Sequence, residues 1–546
     1  MKRLTLFYIL WCAVLVTLCA QPKHEVRAVW LTTIGGIDWP SNYAHDGMGI
    51  EQQQQQLRSM LDQLKAIHVN TVLLQTRVRA TTIYPSDMEP WDGCLSGKPG
   101  RSPGYDALQF AIDECHKRGM ELHAWVVTIP VGKWQSYGCQ QLRRRYPSLM
   151  KKIGDEGYMN PEAYATADYL ADICEEITQR YDIDGIHLDY IRYPETWKGS
   201  KRHENITRIV RAIHQRVKFY KPWVKLSCSP IGKYDDLSRY SSRGWNAYRQ
   251  VAQDAQGWLR DGLMDQLYPM MYFQGNNFYP FAIDWQEHSY GRTVVSGLGI
   301  YMLHPRERNW PLGEVQRQMN VTRSIGMGHC YFRTRFLLDN IKGIYDYCAS
   351  HDQHPALTPP MTWAQSILPS SPTHLQISHT TQGDLIHWSG AVDNSDGPYL
   401  LYNVYASTEE HVDINNPANL IATRHTGNEL WVARPVMENQ PLHYAVTALD
   451  RYGNESSAVL ESKPVSRGHS VLLANDGRTL RLPSAVDGTY LVVKTLQGTA
   501  VRTYKNSRLI DINLLQEGMY ELVSVNKKGV THRLGFFCVR RSNSAD

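Results

Sequence analysis

Between Glu25 and about Ser350, short strand-like apolar runs alternate with longer amphipathic runs, and this alternation constrains the fold more than any other feature. The strand candidates are Val26–Thr32, Thr71–Val78, Glu121–Thr128, Gly185–Ile191, Val224–Ser229, Met264–Tyr272, Thr293–Ile300 and Gly328–Arg333. One intervening run opens at Asn160-Pro161-Glu162, a capping residue followed by Pro at the first helical position. Its apolar residues Ala167, Leu170, Ala171, Cys174 and Ile177 then follow helical spacing. Eight such units predict an α/β fold, a (β/α)8 TIM barrel with enlarged loops. A doubly wound open sheet would carry a GxGxxG turn after the first strand, and none is there.

A Pro/Ser/Thr-rich segment, residues 354–374, is expected to act as a linker, leaving the barrel (residues 25–353) able to fold alone. Residues 375–465 then show short alternating strands. With Trp388 early and YAVTALDRYGNES near the end, they resemble a fibronectin type III module. Residues 467–540 form a further small β unit whose stretch VVKTLQGTAVRTY…LIDINLLQEGMYELVSV resembles the C-terminal sorting domains of Bacteroidetes type IX secretion. An accessory β-sandwich is the simpler reading of that unit. The whole is thus a barrel followed by two small all-β sandwich-like domains.

Residues 1–20, MKRLTLFYILWCAVLVTLCA, place two cations before an apolar run and end on Ala20. This is the pattern of a secretory signal peptide, and it predicts a protein exported to the periplasm or cell surface. A lipoprotein anchor at Cys19 fits less well, because Leu18 is not small. No later stretch approaches the length of a membrane span. In an exported chain Cys94 and Cys139, both in loop-like sequence, could pair. The net charge is +5, but residues 467–546 hold twelve Lys/Arg against six Asp/Glu, so the excess belongs to the C-terminal end. No clustered basic stripe of a nucleic-acid binder is present. Tyr (32) and Trp (15) outnumber Phe (10), which suits a wet cleft for sugars.

In a barrel, side chains alternate between the helix layer and the interior, and catalytic groups gather at the C-terminal strand ends. If Val72 and Leu74 face the helices, then Leu73, Gln75 and Arg77 face inward. By the same rule His123 and Trp125, and His187 and Asp189, point inward. Tyr272, Tyr301 and Arg333 would line the upper barrel, and Arg192 follows close behind Asp189. Asp189 falls at the inward end of its strand and is the leading catalytic candidate. Arg77, if near it, would keep it ionised. Asp184 precedes the strand and reads as a cap or turn residue.

The segments EVRAVWLTTIGGIDWPS, NTVLLQTRVRATTIYPSDMEPW, ELHAWV, DGIHLDYIRYP, KLSCSPIG, MDQLYPMMYF and SGLGIY closely resemble the bacterial glycosyl hydrolase-like 10 family over residues 25 to about 350. The resemblance implies an exported TIM-barrel glycoside hydrolase, with a polysaccharide, plausibly cell-wall peptidoglycan glycan, as substrate and no cofactor. Two positions depart from the family's usual pattern. Tyr190 stands where a second Asp often follows the first, and Pro269-Met270 stands where Pro-Gln is common. Glycoside hydrolysis needs two carboxyl groups. Asp189 serves as nucleophile or base. The second comes from Glu195, Asp235, Asp236, Asp284 or Glu287, with Glu195 favoured because it follows the motif directly. Two rivals remain: a metal-dependent hydrolase using His123, His187 and Asp189, and a barrel that binds glycan without cleaving it.

Overall fold

The computed structural model describes residues 21–380, 382–433, 442–461, 471–472, 475, 478–482, 490–496, 498–505, 507–526 and 531–539. The expected signal peptide and Cys19 lie outside them. The described residues fall into two compact units. One lies within Met1–Thr373, Gly390–Asn428 and Pro441–Leu460, the other within His374–Ser389, Glu429–Gln440 and Glu461–Asp546.

The first unit contains a closed barrel of eight parallel strands: β1 (Arg27–Leu31), β2 (Thr71–Arg77), β3 (Glu121–Val127), β7 (Gly185–Asp189), β8 (Lys225–Cys228), β9 (Gln266–Leu267), β10 (Thr293–Leu298) and β11 (Gly328–Tyr331). Each strand pairs with the next barrel strand along the chain, and β11 closes onto β1. This is the (β/α)8 barrel expected from the alternation. After β3 the chain inserts a small antiparallel sheet of β4 (Pro130–Lys133), β5 (Met150–Ile153) and β6 (Glu156–Met159).

Two apolar layers hold the barrel. Val72, Leu74, Leu122, Ala124, Ile186 and Leu188 pack outward against helices such as α1 (Gly47–Ala66), α2 (Ala107–His116), α3 (Tyr164–Arg180) and α4 (His203–Tyr220). Ala28, Trp30, Leu73, Trp125, Tyr268, Val295 and Cys330 fill the inside. Helix α3 begins three residues later than the Pro161 signal predicts. Asn160 instead accepts the Glu162 N–H (3.1 Å) in a turn that precedes the helix. All eight cysteines among the described residues are free thiols, so Cys94 and Cys139 do not pair.

The segment expected to be a free linker is tied to the N-terminal face of the barrel. Leu357 exchanges backbone hydrogen bonds with Glu25 and Lys23 (2.9 and 2.8 Å), and Asn70 donates to Ala356 O (3.0 Å). Thr358 donates to Glu121 (2.7 Å), and Trp363 to Asp265 (3.0 Å). Beyond it, a four-stranded antiparallel sheet (Leu401–Ser407, Leu420–His425, His443–Leu449, Val459–Leu460) contributes Arg424 and Arg451 to the same face. Arg424 pairs with Glu121 (3.2 Å) and with Asp184, and Arg451 pairs with Asp182 (2.8 Å) and Asp184 (3.2 Å). Asp184 also accepts from the Leu122 N–H (2.9 Å) and contacts His116 (2.8 Å). It is therefore a buried ionic anchor and not a cap. In the second unit, strands Thr373–His379, Gly383–Ser389 and Glu429–Ala433 form one sheet, and residues near the C-terminus form a five-stranded and a two-stranded sheet.

Candidate active site

An open cavity of about 560 Å3 sits at the C-terminal mouth of the barrel. Asp189, the last residue of β7, lies at its floor and is 7% exposed. Its backbone carbonyl is pinned by Thr128, through the N–H (2.9 Å) and the hydroxyl (2.8 Å). Its carboxyl accepts from Ser229 Oγ (2.9 Å), the Tyr190 N–H (2.8 Å) and Trp125 Nε1 (3.1 Å). Burial nevertheless wins, and raises the Asp189 pKa from its ordinary value despite these donors and the nearby Arg192. Tyr190 takes a left-handed backbone (φ 54°) uncommon for a bulky residue, and this turn aims its N–H at Asp189.

Glu195 lines the same cavity from the loop after β7. Arg192 donates to it at 2.5 Å and also covers the Tyr190 ring, 4.5 Å from the centroid. Partial burial works against ionisation of Glu195, but the Arg192 guanidinium overrides it and holds the pKa below the ordinary value. The two carboxyl groups are thus pushed in opposite directions. Arg192 is 4% exposed, and its Nε has no partner among the described residues.

Gln75, Trp125, Tyr272, Arg192 and Arg333 also line the cavity, as expected for inward-facing barrel residues. Gln75 uses its carbonyl to hold the β1 loop through Thr33 N–H (3.1 Å) and Ile34 N–H (2.9 Å). Tyr272 stacks on Phe332 with centroids 5.5 Å apart. Arg333 pairs with the buried Asp38. Tyr301 does not line the cavity; its ring packs edge-on against Tyr272 at 5.8 Å.

Arg77 requires a correction. It is fully buried and donates to Glu89 (2.6 and 2.8 Å) and to the Val127 and Thr128 carbonyls, away from Asp189. The reason is a register shift: Gln75 pairs with Trp125, but Arg77 pairs with Val126. The irregularity at Thr76 breaks the two-residue alternation and turns Arg77 into the helix layer. His123 and His187 do point inward, but neither lines the cavity. His123 contacts Glu121 (3.0 Å). The Trp30 indole, which can only donate, reaches His187 Nε2 (3.2 Å), so Nδ1 carries the proton toward Ser227 Oγ (2.9 Å). Burial drives the His187 pKa well down, so the ring is neutral and both its nitrogens are occupied.

The metal reading of His123, His187 and Asp189 fails on geometry. Among the described residues only Glu25, His329 and Asp352 bring three ligand atoms within 4.8 Å of one another. That cluster lies at the opposite end of the barrel and is neutralised by Arg27 and Arg323. Four other sequence candidates for the second carboxyl are absent from the cavity lining. Asp235 pairs with Arg249, Glu287 with Arg239, Asp284 accepts from Gln256, and Asp236 lies with Asp235. Sequence reasoning missed Glu156, which reaches the cavity from β6 and pairs with Lys133 at 2.6 Å. Only the position of an insertion after β3 hinted at it.

A closed (β/α)8 barrel with a buried carboxyl at the end of its fourth strand, facing an open polar cavity, has the architecture of a TIM-barrel protein built around a C-terminal-face site. A family model confirms and sharpens that class: the chain belongs to the glycosyl hydrolase-like 10 family, which matches residues 25–203 and 193–302. It is 27% identical over 486 residues to glycosyl hydrolase YngK of Bacillus subtilis, covering 80% of this chain and 93% of the relative. It is 30% identical over 292 residues to glycosyl hydrolase DigH of Escherichia coli, covering 46% of this chain and 66% of the relative. Among solved structures, the glycoside hydrolase domain of PgaB from Bordetella bronchiseptica aligns with a TM-score of 0.41 at 12% identity, over 60% of this chain and 98% of that domain.

Proposed function

We propose that this protein is an exported glycoside hydrolase that cleaves a polysaccharide, with cell-wall glycan as the substrate class and Asp189 and Glu195 as its carboxyl pair. The observation that carries the reading is geometric: both carboxyls line one cavity at the barrel mouth, Asp189 buried among three hydrogen-bond donors and Glu195 paired with Arg192. Burial raises the pKa of Asp189 and Arg192 lowers that of Glu195, the direction of difference an acid and its charged partner need in glycosidic cleavage. Asp189 donates the proton to the departing glycosidic oxygen. Glu195, ionised against Arg192, supplies the negative charge as base or nucleophile. These roles reverse the assignment expected from the motif alone, because burial raises the Asp189 pKa while Arg192 lowers that of Glu195. Membership in a glycosyl hydrolase-like family and the names of the relatives support the same class.

The test compares leaving groups. Asp189→Asn should lower kcat/KM on an oligosaccharide by about 10²–10⁴-fold, the usual worth of a positioned acid. It should cost far less on an aryl glycoside, whose leaving group needs no proton. Glu195→Gln should cripple both. Equal loss on both substrates in Asp189→Asn would show that Asp189 is not the acid. No turnover of any glycan by the wild-type chain would leave a binding barrel in place of an enzyme.

A further inference from the structure

The inserted hairpin joins the catalytic cavity to a second one. In the β5–β6 pair, Lys151 lies opposite Tyr158 and Ile153 opposite Glu156. Directly opposed and alternate residues share a face, so Lys151, Ile153, Glu156 and Tyr158 stand on one side of the hairpin. Tyr158 and Glu156 line the catalytic cavity, whereas Lys151 and Ile153 line a second cavity of about 340 Å3. The loop after β7 makes the same crossing: Pro194 and Glu195 line the first cavity, and Thr196 to Gly199 the second.

The second cavity is cationic and unsatisfied. The Lys151, Lys152 and Lys198 side chains are exposed and make no ion pair or hydrogen bond among the described residues, and Glu162 is the single acidic side chain in the lining. Lys152 takes the opposite face of the hairpin, so the side chains on the cavity face sum to +1, two lysines less one glutamate. Lys151 stands over the Trp197 ring (5.6 Å) in the cavity lining, whereas Lys152 stands over Trp134 (5.8 Å), a ring outside the lining. No described residue accepts from the Trp197 indole N–H, and Thr196 adds a hydroxyl. The set offers fixed positive charge beside neutral donors suited to sugar hydroxyls. Lys198 follows Glu195 by three positions, which limits the Cα–Cα span to about 11 Å.

We propose that this cavity is a subsite for an acidic sugar, one bearing a carboxylate or a sulfate, bound along the chain from the scissile bond. The inference rests on the hydrolase reading for the direction of the cleft, and deepens it by assigning an anionic glycan as the substrate class. The lysines act by point charge and are sensitive to salt, so they select the charge and not one acid geometry.

The test uses the full chain carrying Asp189→Asn, so that binding is read without turnover. Isothermal titration with chitohexaose, 6-O-carboxymethyl chitohexaose and 6-O-sulfo chitohexaose separates backbone from charge. At least one anionic form should bind tenfold or more tighter than the neutral one, and which form wins tells carboxylate from sulfate. Adding Lys151→Ala and Lys198→Ala should cut that preference at least fivefold, leave neutral binding unchanged and keep the melting temperature. Affinities within twofold for all three ligands would overturn the proposal, as would a preference that survives loss of the lysines. Equal, lysine-dependent binding of a twelve-nucleotide single-stranded DNA would do so too, by showing a general polyanion surface. Failure of the wild-type chain to cleave any glycan would count against the hydrolase reading while leaving this result to stand by itself.

Discussion

Replacing Arg424 by Met should destabilise the barrel from a residue some three hundred positions away from its partner in sequence. The Arg424 side chain is 10% exposed, and it contacts two carboxylates that are 1% and 4% exposed, Glu121 and Asp184. Removing one partner from a buried pair typically costs about 3–5 kcal/mol, because the other charge is left without compensation. Here each acid keeps another cation. Glu121 retains Lys225, and Asp184 retains Arg451. The loss should therefore fall at the low end, about 3 kcal/mol. At about 2 °C per kcal/mol for a large domain, the melting temperature should drop by about 6 °C. Differential scanning calorimetry of the wild type and Arg424→Met at neutral pH measures it. Truncation after residue 353 removes Arg424, Arg451 and the strap together, and should yield protein that aggregates or lacks a cooperative transition. A variant melting within 1 °C of wild type, or a truncated barrel that unfolds cooperatively near the wild-type temperature, would refute the claim that the four-stranded sheet completes the barrel.

Further expectations follow from the same charge patterns. Arg77→Met should lower stability by about 3–5 kcal/mol through loss of the Glu89 pair, while leaving the pH–rate profile in place; a shifted profile would place Arg77 at the catalytic carboxyl after all. Ser229→Ala removes a hydrogen bond that favours ionised Asp189, so the basic limb of kcat/KM should move to higher pH and the acid limb stay fixed. Arg192→Met should move both limbs upward, because its charge lowers the pKa of both Asp189 and Glu195. Glu121 and Asp184 lie below their ordinary values of 4.5 and 3.8, burial opposing ionisation but Lys225 and Arg424 prevailing. Their contribution is complete above those values and is lost as pH falls below them, so acid unfolding should begin near pH 4 and be shallower in Arg424→Met. Urea midpoints measured across pH 3–7 check this.

What could be read from the sequence, and what could not, divides along physical lines. The eight strands were legible because each had to bury one side against helices and the other inside the barrel. That demand wrote the two-residue alternation into Val72–Gln75, Leu122–Trp125 and Ile186–Asp189. The alternation carried Gln75, Trp125 and Asp189 to the cavity correctly. It failed at Arg77, because one irregular residue reverses every side chain beyond it and Thr76 bears no mark of that role. Asp184 looked like a turn residue because its cationic partners stand 240 and 267 positions downstream. No local pattern encodes such a pairing. Glu156 was hidden in an insertion whose short hairpin lacks a barrel strand's periodicity. The motif led to Asp189 and Glu195, but their charge states depend on burial and on Arg192, which spacing alone does not reveal.

The two ends of the barrel show why the same residue types do different work there. At the N-terminal end the acids are saturated. Glu25 and Asp352 meet Arg27 and Arg323, Glu121 meets Lys225 and Arg424, and Asp184 meets Arg424 and Arg451. Every such carboxylate is held ionised with counter-charges in place, which leaves it unable to deliver or accept a proton near neutral pH. At the C-terminal mouth the arrangement is left incomplete. Among the described residues Asp189 has three hydrogen-bond donors but no direct ion pair, Arg192 Nε has no partner, and Tyr190 holds a strained backbone at the same point. An unsatisfied buried group costs stability unless a ligand completes it. The mouth therefore presents polar groups that a bound molecule can complete, whereas the strap and sheet at the other end tie the barrel closed. Substitutions at the N-terminal end should accordingly register in melting temperature and acid tolerance, and substitutions at the mouth in pH profile and binding, with little exchange between the two.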